Sequence, residues 1–129
     1  MRYALLIYVQ PWETTPEQDN QVMEAYNAFG REAMAADVMR GGEALNEAKT
    51  ATSVRVRDGK TLVTDGPFAE TKEEFGGFYL IEAANLDEAI KWAAKIPGAT
   101  RGTVEVRPVA DMASAPDETN QAPAGIAAG

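Results

Sequence analysis

The chain has 129 residues, enough for one compact domain and few for two. It carries 12 Lys and Arg against 20 Asp and Glu, a formal net charge of −8 at pH 7, so neither nucleic acid nor an anionic membrane is an expected partner. Cysteine and histidine are absent, which excludes disulfides, thiolate catalysis, imidazole bases and histidine-ligated zinc. Acid–base work would fall to Asp, Glu, Tyr or Lys, and a metal site would have to be oxygen-rich. No cofactor and no metal are expected.

Residues 3–9 form a nearly unbroken aromatic and β-branched run, which predicts a central strand apolar on both faces. The run is too short to span a membrane and lacks a small-residue cleavage site, so a strand is a better reading than a leader. The cytoplasm is the expected location. Pro11 ends the strand. Thr15-Pro16-Glu17-Gln18 then opens a helix, with Thr15 as cap, Pro16 at the first position and Gln18 completing a capping box. Val22, Tyr26, Phe29, Ala33 and Ala36 make one apolar stripe. The helix is expected to reach about Val38 and stop near Gly41-Gly42. Residues 43–51 read as a loop or a short edge segment.

Residues 52–57 alternate, and Asp58-Gly59 is a two-residue hairpin signal, because both central positions of a type I′ turn need positive φ. That turn sets Arg57 opposite Lys60, Val56 opposite Thr61, Val54 opposite Val63 and Thr52 opposite Asp65. Asp65 then ends an otherwise apolar face shared with Val54, Val56 and Val63. Gly76-Gly77 precede a strand at Phe78-Tyr79-Leu80-Ile81. Asn85 caps a second helix with Glu88 as its box partner, and Leu86, Ala89, Ala93 and Ile96 form its buried stripe. Pro97-Gly98 ends that helix, and residues 103–107 form a last strand closed by Pro108. From Ala110 onward the composition turns to Ala, Pro, Gly and polar residues, which reads as a disordered tail at 110–129 after a folded domain at 1–109.

This order is close to a ferredoxin-like α+β plan, an antiparallel sheet with two helices on one face. The strand at 3–9, with Tyr79 and Ile81, suggests that the other face is apolar as well. An uncovered apolar face calls for a partner, and a homodimer packed sheet against sheet is the simplest.

The segment Asp65-Gly66-Pro67-Phe68-Ala69-Glu70-Thr71-Lys72-Glu73 combines a carboxylate, a glycine, a proline and an aromatic ring in four positions. With Gly76-Gly77-Phe78-Tyr79-Leu80, Gly41-Gly42-Glu43-Ala44-Leu45 and Val104-Glu105-Val106-Arg107-Pro108, it resembles the YCII-related proteins of the bacterial DGPF type. The resemblance spans residues 1 to about 109 and implies a dimeric α/β barrel built from ferredoxin-like protomers. It implies a His and Asp pair in a cleft, with the Asp at Asp65 and the His near Tyr26. This chain has no histidine, so half of that pair is missing. Some relatives are encoded beside extracytoplasmic-function sigma factors, which points to regulation. Broader relatives of the same barrel are dehalogenating or lactone-converting enzymes, an analogy of fold alone.

Asp65 has three readings: a loop cap accepting backbone N–H groups, a ligand-binding or general acid–base group, and a metal ligand. Phe68 is a core plug or a stacking platform. Tyr26 lies on the buried stripe, and a hydrogen bond to Asp65 would satisfy its hydroxyl. Tyr8 and Trp12 could wall a pocket. Glu70, Lys72, Glu73 and Glu74 read as a solvated face, with Glu70 or Glu73 as alternative rim residues. Arg55, Arg57 and Lys60 offer an anion site or exposed charge. The function expected is binding of a small organic ligand near Asp65 and Tyr26. The alternatives are an enzyme (lyase, isomerase or hydrolase) using Asp65, and a regulatory protein-interaction module.

Overall fold

The computed structural model describes residues 1–11 and 13–110. Trp12 and the expected tail beyond Ala110 lie outside the described residues. The elements are β1 (Arg2–Val9), α1 (Pro16–Ala35), β2 (Met39–Ala44), β3 (Thr52–Arg57), β4 (Lys60–Asp65), β5 (Glu74–Glu82), α2 (Leu86–Ala94) and β6 (Thr103–Pro108). Short 3-10 turns occupy Ala48–Thr50 and Pro97–Thr100. Neither helix is long and apolar enough to cross a membrane.

The fold is α+β. Four strands form one antiparallel sheet in the order β2-β5-β1-β6, and β3 and β4 form a separate two-stranded hairpin. β1 is central, as its apolar run predicts. Period two sends Tyr3, Leu5 and Ile7 to one face, where all three are buried. There they join Phe29 and Ala33 of α1 and Ala89, Trp92 and Ala93 of α2 in a single core. The two helices therefore share one sheet face. Phe29 meets Tyr79 at a ring separation of 4.9 Å and Trp92 edge-on at 6.2 Å. Ala4, Leu6 and Tyr8 point to the other face and are only half-buried. Within one chain the sheet is open, with β2 and β6 as its edges, and no barrel closes.

The helix starts follow the sequence. The Gln18 amide donates to Thr15 Oγ1 at 3.1 Å, and the Thr15 amide donates to Gln18 Oε1 at 2.9 Å. The Glu88 amide donates to Asn85 Oδ1 at 3.0 Å, which makes the cap without the returning side-chain bond expected of a capping box. The end of α1 corrects the expectation. The helix stops before the glycines, because Asp37 takes a left-handed conformation at φ 60°. The Val38 amide donates back to the Ala33 carbonyl and the Asp37 amide to the Met34 carbonyl, the paired bonds of a Schellman motif. Aspartate tolerates this geometry better than most side chains do. Gly41 and Gly42 then lie inside edge strand β2, paired with Leu80 and Tyr79.

The α1 stripe is only half used. Phe29 and Ala33 are buried and Tyr26 half-buried, but Val22 and Ala36 are exposed. The first half of α1 stands off the sheet. In α2, Leu86 is exposed and Trp92 takes a buried place beside Ala89 and Ala93. The hairpin has the register its turn dictates, from Arg57 opposite Lys60 to Thr52 opposite Asp65, with Asp58 and Gly59 at φ 53° and 75°. It does not join the main sheet.

Candidate functional site

The segment after the hairpin is held at its start by the backbone. Gly66 adopts φ 99°, a conformation open to glycine and strained for other residues. The Gly66 amide extends the hairpin ladder by donating to the Ala51 carbonyl at 2.7 Å, and Ser53 Oγ donates to the Gly66 carbonyl at 2.7 Å. Pro67 and Phe68 then leave the hairpin in a set direction.

A bulge in β5 brings the aromatic walls together. Ile7 pairs with Gly77 and Tyr8 with Phe75, so Gly76 is the extra residue. Unbroken alternation would put Phe75 on the helix side. The bulge turns it to the open face, where its ring lies 5.4 Å from that of Tyr8. The segment between β2 and β3 closes the hollow from the edge. The Leu45 amide donates to the Gly76 carbonyl at 2.9 Å, and the Ala48 amide donates to Glu74 Oε1 at 3.3 Å.

These segments line a half-open cavity of about 650 Å³ between the hairpin and the main sheet. Tyr8, Phe75, Phe68 and Pro67 give it an apolar interior, and Glu47, Glu73 and Glu74 add carboxylates. Its size and its mix of aromatic and few polar groups are those of a small-ligand site.

A second region surrounds Tyr26, between α1 and the sheet. Tyr26 is the common wall of three hollows of about 730, 330 and 440 Å³. Burial pushes the Tyr26 phenol above the ordinary tyrosine value, with the Gly98 backbone beside it pulling the other way. The Tyr79 phenol is raised too, by burial first and by the charge of Tyr26 second. Both phenols are therefore neutral donors near pH 7.

The candidate residues thus divide. Tyr8 and Phe68 meet in the cavity beside the hairpin, and Phe68 keeps 80% of its surface exposed. Tyr26 lies on the helix side of the sheet, on the face opposite Tyr8. Asp65 is exposed at the end of β4 and lines none of these hollows. No hydrogen bond from a described residue reaches its carboxylate, and Tyr26 has the Gly98 backbone beside it instead. Trp12 lies outside the described residues. Sequence reasoning missed Phe75, Glu47 and Glu74. Phe75 depends on a bulge, and Glu47 comes from a segment without periodicity. Only the paired glycines after Phe75 hinted at a break in alternation. Among the described residues, no three Asp or Glu side chains are disposed to hold a metal ion.

The YCII-related domain family matches residues 1–113. A protein of Rhizobium meliloti (strain 1021), described as uncharacterised, is 40% identical over 115 residues, covering 85% of this chain and 93% of that protein.

Proposed function

The chain belongs to the YCII-related domain family, and from that premise we propose that it binds a small organic ligand in the cavity between the hairpin and the sheet. One observation carries the reading: the segment at 65–73, the chemically richest in the chain, contributes Pro67, Phe68, Ala69, Thr71 and Glu73 to the wall of a cavity of about 650 Å³. Tyr8 and Phe75 complete an apolar seat, and Gly66 and Pro67 set the position of Phe68 as a flap. Asp65 begins this flap. An acid–base role for it has less support, because its side chain is exposed and outside the cavity lining.

The working unit is a homodimer of ferredoxin-like protomers. Ala4, Leu6, Phe78 and Leu80 lie together on the face that no helix covers, by the pairings Ala4–Leu80 and Leu6–Phe78. Glu105 and Arg107 flank them on β6, paired with Leu6 and Ala4. Packing two such faces would give the dimeric α/β barrel of the family and bury an otherwise wet apolar layer. Tyr8 belongs to the same face, which sets the ligand cavity beside the dimer seam.

A crystal soaked in a mixed small-metabolite solution tests the reading, with density expected between Tyr8, Phe75 and Phe68. A cavity filled by the protein's own side chains would sink it. For the dimer, light scattering should give twice the chain mass, and Leu6→Glu should yield a folded monomer by circular dichroism. A monomeric wild type would remove the barrel.

A further inference from the structure

We propose that the ligand of this cavity is an organic cation, an amine carried on a small aromatic or apolar body; the inference rests on the cavity being a ligand site. Among the described residues its lining contains Glu47, Glu73 and Glu74 and neither lysine nor arginine. An adjoining hollow of about 390 Å³ shares Tyr8, Thr71 and Glu73, adds Thr103 and Glu105, and is again without a cationic side chain. Lys49 and Arg107 stand behind two of these carboxylates, Glu47 and Glu105, so the charge the wall presents is that of Glu73 and Glu74, which an anion would meet unfavourably.

The carboxylates differ in their freedom. Glu47 is paired with Lys49 at 3.2 Å and Glu105 with Arg107 at 2.8 Å. Glu73 and Glu74 are half-buried and have no ion-pair partner among the described residues. The Ala48 amide donates to Glu74 Oε1 at 3.3 Å. The acidic groups do not gather as a metal site. What they offer is attraction for one positive charge beside aromatic rings. Tyr8, Phe75 and Phe68 supply π faces for an ammonium group and contact surface for its carbon body. The chain's net charge of −8 favours approach of a cation from solution.

Three probes of one shape and different charge separate the possibilities: phenethylammonium, 2-phenylethanol and phenylacetate. Each is titrated into the full chain at neutral pH and low salt, followed by NMR on the aromatic signals of Phe68, Phe75 and Tyr8. Phenethylammonium should bind about tenfold or more tightly than phenylacetate. In the double variant Glu73→Gln with Glu74→Gln, that ratio should fall to about twofold or less. Glutamine keeps the shape and the oxygen that accepts the Ala48 amide, and circular dichroism checks the fold. Equal or tighter binding of phenylacetate, or a preference that survives in the double variant, overturns the cationic class. If 2-phenylethanol still shifts the three ring signals in that case, the ligand-site reading stands. Failure of all three probes to shift those signals overturns both.

Discussion

The main sheet and the hairpin are written in the same code and come to opposite ends. Along β1, Leu5 and Ile7 keep 0% and 6% of their surface; along the hairpin, Val54 and Val63 keep 60% and 62%. In both segments one face carries apolar side chains at every second position, and both pair antiparallel. The difference is what lies above the strand. β1 has partners on both sides and two helices over one face, whereas β3 and β4 have only each other. Alternation states which side chains share a face; it does not state what covers that face. The candidate cavity lies at the junction, where a covered sheet meets an uncovered arm.

Substitutions sharpen this contrast. The largest loss is expected from Leu5→Ala, which empties a fully buried site: about 2–5 kcal/mol by chemical denaturation. Val63→Ala in the hairpin should cost less than about 0.5 kcal/mol. A comparable loss at both positions would break the comparison and mean that the hairpin is packed in solution. Gly98→Ala comes next. A Cβ there would lie 2.9 Å from the Tyr26 hydroxyl and 3.0 Å from Ile7 Cγ2, so overpacking should cost about 1–3 kcal/mol. An unchanged melting temperature would mean that α1 gives way freely. Gly66→Ala strains the left-handed backbone at the root of the flap and should cost about 1–2 kcal/mol. Because nothing crowds that position, any loss there comes from the backbone and not from packing.

The smallest effect is one of pH. The Tyr26 phenol is raised by burial, so the folded state holds its proton more tightly than the unfolded state. Its contribution to stability is complete below the ordinary tyrosine value of 10.0 and is lost as pH rises through the folded value. Tyr26→Phe should therefore flatten the alkaline fall in melting temperature relative to the wild type. Parallel curves above pH 10 would deny Tyr26 this role.

Local chemistry announced much of this chain. The capping box at Thr15, the Asn85 cap, the Asp58-Gly59 turn and the hairpin register each depend on a few adjacent residues, and each was legible. The end of α1 was not, since it uses Asp37 where a glycine was expected and the glycines serve an edge strand instead. The site was legible by parts. Tyr8 and Phe68, both expected among the ligand-binding residues, line one hollow, whereas Tyr26, expected beside them, lies across the sheet.

The residues alone carry the fold class, the missing imidazole and thiol chemistry, the acidic charge and the unusual segment at 65–73. Those are properties of composition and short-range pattern. Folding in three dimensions settled that the hairpin stands apart, that one β-bulge turns Phe75 to face Tyr8, and that Glu47 shares a wall with Glu73 and Glu74. Each of these depends on contacts between residues far apart in the chain, and short-range pattern does not encode them.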